Sequence, residues 1–585
     1  MTPLPEPSSR RRLWLVAGPA ALALTLTGCA TGTQTAATAA TTDATTESER
    51  TVDTTLDGFS TAADVLAGNQ QAHDDATDVE WAEADATAID LDGSSASSES
   101  ADVDITGSTV TISAAGTYVL SGDLEGQVVV DSAGEGTVTL VLDGVDIAHT
   151  AGAAIDIVAA DEAVVVLADG SSNTLSDAAS YPEDVEANAA LASAADLTIT
   201  GSGAVSVAGN GNDGIASRDG LVIQSGTINV DAADDGIRGK DYLIVRDGDI
   251  AVDAGGDGLK ADNEEDADRG FIAIEDGTLA LTVGGDGIDA YTDVVQTGGT
   301  VDITAGGGAT SDPESGAKGV VAGTIAVLEA GSTLIDAADD AVNTDAYLHL
   351  AGADVEFSSG DDGAHAELQL VVSDGEVSVP SSVEGLEAGQ ITIEGGTISL
   401  TASDDAVNVS EPDAGAAALT LVITGGDLTV DAGGDGLDAN GTVEMSGGTV
   451  TVQGPTNDGN GAIDADGGVT ISGGTLYALG TAGMVQAPSA ESAQASVQFT
   501  VNSRIPAGTT LTIVSASGEQ LGTVTTSKQA QSLVFSTAGI VNGETYSLVA
   551  DGTTLATAVA GQQSSAGMGE PGAGGPGGGA PGAPR

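Results

Sequence analysis

Four Asp-Gly pairs carry the chemistry that the sequence offers. Asp213-Gly214, Asp235-Gly236, Asp257-Gly258 and Asp286-Gly287 each precede Ile or Leu; the first three aspartates lie 22 residues apart and the fourth follows 29 later. Residues repeated at such a period stack about 4.8 Å apart when coil lies on coil. Neighbouring carboxylates in that column repel by about 1 kcal/mol at full water screening, and by several in a protein-like medium. A hard divalent cation relieves the repulsion. Calcium takes carboxylate, amide and carbonyl oxygens, and glycine lets the backbone turn tightly enough to present them.

Asp234, Asp262, Asn263, Glu264 and Asp289 add oxygens beside the column. The aspartate position recurs at Asp340, Asp362, Asp405 and Asp435, and Asp438 follows the last of these. A single Asp-Gly is an ordinary turn dipeptide; the column points to Ca²⁺. The candidate ligands are therefore Asp213, Asp234, Asp235, Asp257, Asp262, Asn263, Glu264, Asp286, Asp289, Asp362, Asp405, Asp435 and Asp438. Neither the nonapeptide calcium repeat nor a complete EF-hand loop is present.

Basic residues are few. Arg238 and Lys260 each follow a column aspartate by three positions, and Lys240 and Lys318 sit beside turns. Such residues suit proton abstraction next to a uronate carboxylate whose acidity a metal raises. They equally suit charge relief within an acidic column. Tyr242, Tyr291 and Tyr347 are the candidate platforms for stacking on sugar rings, while Trp81 falls outside the repeats. His149, His349 and His365 show no spacing for zinc or catalysis.

A fixed period near twenty residues marks a solenoid. Between the aspartates lie short β-branched runs such as Thr227-Ile228-Asn229-Val230, Leu243-Ile244-Val245 and Phe271-Ile272-Ala273-Ile274, which read as strands. Gly-Gly pairs at 298–299, 395–396, 425–426, 447–448 and 473–474 mark a turn of each coil. No sustained helical stripe follows the N-terminal segment. The fold expected is all-β, a parallel β-helix: irregular N-terminal coils over 85–196 with a break at 171–196, regular coils over 197–490, a small antiparallel β module over 491–560 and a disordered Gly/Pro-rich tail over 561–585.

Net charge is −74, from 88 acidic and 14 basic residues, and only 2% of the 585 residues are aromatic. That balance excludes a nucleic-acid backbone as partner and disfavours an anionic membrane surface. Arg10, Arg11 and Arg12 precede an apolar stretch from Leu13 to Leu26 that ends in Leu26-Thr27-Gly28-Cys29. This reads as a lipoprotein signal peptide over 1–28, with lipidation of Cys29. Residues 29–84 read as a disordered tether to the bacterial membrane. A monomer facing the cell exterior is expected.

Gly116-Thr117-Tyr118-Val119-Leu120, Leu142-Asp143-Gly144-Val145, Asn212-Asp213-Gly214-Ile215, Gly239-Lys240-Asp241, Gly256-Asp257-Gly258-Leu259-Lys260 and Asn263-Glu264-Glu265-Asp266 occur in that order. The series resembles a family of bacterial exported carbohydrate-binding proteins. The resemblance, over roughly 88–550, implies a right-handed, calcium-carrying β-helix similar in fold to family-9 polysaccharide lyases. It also implies binding of acidic pectic polysaccharide or cellulose without catalysis. The alternatives are a calcium-dependent lyase using Lys260, Arg238 or Lys240, and a structural adhesin or stalk.

Overall fold

Alternation of small polar and branched apolar residues builds one face of each coil, and unbroken apolar runs build another. The computed structural model describes residues 55–562, apart from 76, 183, 184, 186 and 413–417. The signal segment, Cys29 and nearly all of the Gly/Pro-rich tail lie outside the described residues.

The described chain winds into a parallel β-helix of three sheets. In the first, Thr227–Ala232, Asp249–Ala254 and Thr278–Val283 pair in parallel and in register, with alternate side chains buried. In the second, short strands such as Ile237–Gly239, Leu259–Ala261 and Ile288–Ala290 point their outer residues inward and the middle one outward. In the third, Tyr242–Val245, Phe271–Ile274 and Asp293–Gln296 are buried on both faces. The core is a continuous stack of Val, Ile, Leu and Ala along the axis.

Glycine serves two distinct turns. The second glycine of each Gly-Gly pair (Gly299, Gly396, Gly426, Gly448, Gly474) has φ between 72° and 83°, which side chains disfavour. The glycine after each column aspartate is needed for space. A Cβ on Gly236 would lie 2.3 Å from Val252 Cγ1 and 2.7 Å from the Gly258 carbonyl oxygen of the next coil.

Both ends are capped. The hairpin Val103–Thr106 with Thr109–Ile112 closes the first coils. At the other end Ala530–Ser536 runs antiparallel to the last coil strand, Thr475–Gly480, and to Ser496–Ile505. A separate antiparallel sheet of Gln520–Thr525, Thr510–Ser515, Thr545–Ala550 and Thr553–Val559 completes the module. Pairing that last strand protects an edge which would otherwise recruit other chains.

Two expectations are corrected. The stretch 171–196 is not a break: Ser172–Ser176 and Ala189–Ser193 continue the sheets. Asn173 holds the turn there, accepting from the Gly144 and Val145 N–H groups and donating to the Ala204 carbonyl. Residues 55–84 are not a disordered tether. They form a strap over the outer face of the third sheet, beginning with a helix, Ala62–Gly68, that is capped reciprocally by Thr61 and Asp64. Ala62 and Val65 bury against Val295, Ile325 and Val327. His73 reaches the Tyr242 hydroxyl (2.7 Å) and Thr198 (3.0 Å), and Trp81 packs against Val164 and Val166. An apolar outer face needs cover, and the strap supplies it.

Arg246 clamps this strap through Asp74, with Nε and Nη2 donating at 2.7 and 2.6 Å, and also meets Glu275 at 2.6 Å. The Asp74 side chain is buried, Arg246 is partly exposed and Glu275 is exposed. Asp74→Ala is expected to cost about 1.5–3 kcal/mol, since Arg246 keeps Glu275, and Glu275→Ala under about 1 kcal/mol, read as thermal unfolding midpoints. Gly236→Ala is expected to cost about 1–3 kcal/mol by overpacking, whereas Gly134→Ala, where a Cβ meets nothing within 4 Å, leaves the midpoint unchanged.

Candidate functional site

The second sheet carries the chemistry on its outer face, in two parallel columns. The first holds the aspartates that precede the glycine turn of each coil. Asp235 Oδ1 accepts the Asp257 N–H at 2.9 Å, Asp257 accepts from Asp286 at 2.7 Å, and Asp286 accepts from Lys318 at 2.7 Å. Further along, Asp340 accepts from Asp362 at 3.0 Å, Asp405 from Asp435 at 2.5 Å, and Asp435 from Gly461. Each carboxylate thus takes the backbone N–H of the equivalent residue one coil on. This is a remedy for stacked charges that the repulsion argument omits.

The second column is the middle residue of each short strand. In register it reads Ala216, Arg238, Lys260, Asp289, Val321, Asn343, His365, Glu387, Asn408, Asp438, Asp464. Its N-terminal part is basic and internally paired. Arg238 forms a two-point pair with Asp262 (3.1 and 2.7 Å). Lys260 Nζ lies 2.5 Å from Asp257, 3.3 Å from Asp235 and 3.7 Å from Asp289. Burial pulls the Lys260 pKa down, but Asp257, Asp235 and Asp289 outweigh it and hold the ammonium above the ordinary lysine range. Lys318 lies 2.8 and 2.5 Å from Asp339 and Asp340.

Beyond that point the face turns acidic. Asp362, Glu384 and Glu387 bring a carboxylate oxygen each to within 4.8 Å of one another. Asp339, Asp340 and Asp361 form a similar trio, but Lys318 already pairs with two of its members. Among the described residues no Lys or Arg ion pair reaches Asp362, Glu384 or Glu387. Burial and the neighbouring charges push Asp362 and Glu384 up; Glu387, despite burial, is held down by hydrogen bonds from Glu384 and Ser410 and by nearby His365. Three hard oxygen donors in one partly buried cluster are a chemically suitable set for calcium, and Asn408 stands beside Glu384.

Of the residues expected to hold metal, Asp362 belongs to this trio, and Asp405, Asp435 and Asp438 continue the acidic face. Asp213, Asp235, Asp257 and Asp286 belong to the N–H ladder, and Asp262 and Asp289 to ion pairs. Asn263 is corrected: its Oδ1 accepts from the Glu265 and Asp266 N–H groups and its Nδ2 donates to Asp241, so both ends brace a loop. Asp234 and Glu264 are exposed.

Two tyrosines are corrected as sugar platforms. Tyr242 is fully buried, stacked on Phe271 with centroids 5.5 Å apart beneath the strap. Tyr347 packs against the cluster under the strap helix, away from this face. Tyr291 does sit on it, half-buried in a depression with Arg238, Lys240 and Asp289.

Sequence reading missed Glu387, and it missed the column position of Glu384 and Lys318. Both occupy the column position, filling the two gaps between Asp286 and Asp340 and between Asp362 and Asp405. The signal was present: Lys318-Gly319-Val320 and Glu384-Gly385-Leu386 keep the glycine and the aliphatic residue while changing only the first.

Burial first, and like charge second, raise many of these acids; Asp213, Asp286 and Asp405 reach about 7. An acid with a raised folded pKa binds more protons folded than unfolded, so its contribution is present at low pH and lost as pH rises through the folded value. In EDTA the thermal midpoint is therefore expected to fall as pH climbs from 5 to 8. Calcium, which needs the ionised carboxylates, is expected to flatten or reverse that slope; a midpoint that rises with pH in EDTA contradicts the burial of these groups.

Residues 106–363 and 365–562 match the family described as carbohydrate-binding domain-containing protein. A protein of that description from Acetivibrio thermocellus is 41% identical over 128 residues, 21% of this chain and 45% of its own length, so the chain spans just under half of that relative. A solved structure described as the polysaccharide lyase-like protein from C. thermocellum, a gadolinium derivative, is 34% identical, with a TM-score of 0.37, over 38% of this chain and 92% of the other. The two matched segments cover most of the sequence, and the chain belongs to the carbohydrate-binding domain-containing protein family.

Proposed function

We propose that this protein is a calcium-dependent, non-catalytic binder of acidic polysaccharide, exported and held at the bacterial surface by a lipid on Cys29. The observation that carries the reading is the Asp362, Glu384 and Glu387 trio, set on an acidic face within a family named for carbohydrate binding. Calcium bound there would be held by those three carboxylates. It would supply positive charge that meets the carboxylates of a uronic-acid polymer and offsets repulsion from a chain of net charge −74.

Two of the three candidate bases, Lys260 and Arg238, are engaged within the face. Proton abstraction requires a neutral amine or a base near its working pH. Lys260 is held as an ammonium by three aspartates, and Arg238 is engaged by Asp262. Both act within the face as charge relief.

The test is retention of the protein on insoluble pectate and on cellulose, with calcium and with EDTA, while absorbance reports unsaturated products. Calcium-dependent retention on pectate without rising absorbance is expected. Asp362→Asn with Glu384→Gln is expected to lower that retention about tenfold or more, since each lost charge-assisted contact is worth roughly 1.5–3 kcal/mol. Retention unchanged by EDTA overturns the calcium dependence, and rising absorbance overturns the absence of catalysis.

A further inference from the structure

The basic end of the same face contains a second feature, separate from the acidic trio. Arg238, Lys260 and Asp289 are register partners on three successive coils. Two residues further along those coils stand Lys240, Asp262 and Tyr291. At the spacing of stacked coils, Lys240 and Tyr291 are about 10 Å apart at the backbone. Both line a depression of about 420 Å³, within the range of small-ligand sites (roughly 300–1,000 Å³).

The rim is built. The coil that starts at Asp257 is 29 residues long where its predecessors have 22, and the extra residues form a loop beside the depression. Asp241, almost fully buried, ties that loop down: it accepts from Asn263 Nδ2 at 2.6 Å and from Arg269 Nη1 at 2.5 Å. Glu264 and Glu265 stand exposed on the rim.

Charge on the floor is distributed unevenly. Arg238 is cancelled by Asp262 at two points, and Asp289 lies near Lys260. Among the described residues, Lys240 makes no ion pair. An ammonium in a depression, with a half-buried phenol ring two coils away, matches one sugar ring bearing a carboxylate: the ring stacks on Tyr291 and the carboxylate meets Lys240. The rim carboxylates accept sugar hydroxyls.

We propose that the depression between Lys240 and Tyr291 is a subsite for a single uronate residue of an acidic polysaccharide. It rests on the reading that the protein binds acidic polysaccharide, and it differs in needing no metal.

The test is calorimetric titration of a soluble trimer of galacturonic acid, in EDTA, into the full chain and into Lys240→Gln, Lys240→Arg, Tyr291→Ala and Tyr291→Phe. Pectate retention in calcium is measured in parallel, and unfolding midpoints verify folding. Binding is expected in the parent. Lys240→Gln and Tyr291→Ala are expected to weaken it about ten- to a hundredfold, while Lys240→Arg and Tyr291→Phe stay close to the parent. The methyl-esterified trimer is expected to bind as weakly as the parent trimer binds Lys240→Gln. Equal affinity in Lys240→Gln and the parent overturns the subsite. So does absence of trimer binding by a parent that pectate still retains, and in that case the acidic-polysaccharide reading stands. A parent that pectate fails to retain overturns the broader reading, and the subsite with it.

Discussion

Everything on the acidic face depends on one repeated hydrogen bond, from a backbone N–H of one coil to the carboxylate of the coil before. Asp235, Asp257, Asp286, Asp340, Asp405 and Asp435 all make it. The bond satisfies a buried donor at the corner where the strand ladder turns. It also fixes each carboxylate at the same height in its coil. Charged side chains three residues later are then held in line, so that a second column forms beside the first. Where that second column supplies Arg238 or Lys260 the face is neutralised from within. Where it supplies Glu387 or Asp438, the negative charge remains.

The face therefore has two halves made by the same backbone. The N-terminal half solves its electrostatics with ion pairs and leaves a depression beside Lys240. The C-terminal half leaves Asp362, Glu384 and Glu387 within reach of one another. No change of fold separates these regimes, only the identity of one residue per coil. A solenoid permits this because each coil contacts only its neighbours, and a substitution at one level leaves the next level's geometry intact.

The period and the strand runs made the architecture legible, because Asp-Gly-aliphatic is a packing rule as much as a motif. Gly236 has no room for a Cβ, and the Ile or Leu that follows points into the core. The candidate site was less legible. Repulsion between stacked aspartates suggested metal along the whole column, but backbone N–H groups, invisible in a sequence, satisfy much of it. Glu384 was passed over because the search fixed on aspartate. The strap was hidden by its composition: Thr, Ala and Asp outnumber Leu56, Val65 and Leu66, although Thr61 and Asp64 form a readable helix cap. The unbroken apolar run Phe271-Ile272-Ala273-Ile274, set against the alternating Thr227-Ile228-Asn229-Val230, already indicated a sheet covered on its outer side.

The strap also dictates an order of events. Its Gly58 N–H meets Gln369 across 311 residues of sequence and its Ser60 carbonyl meets His349 across 289, while Trp81 lies over the first coils. It runs against the direction in which the coils are laid down. The segment made first thus docks on a surface whose far end is made hundreds of residues later, and closing so long a loop slows its formation. Until those coils stack, the greasy outer wall of the third sheet stands open to water. The strap's far end can be laced down only once coils made hundreds of residues later are in place.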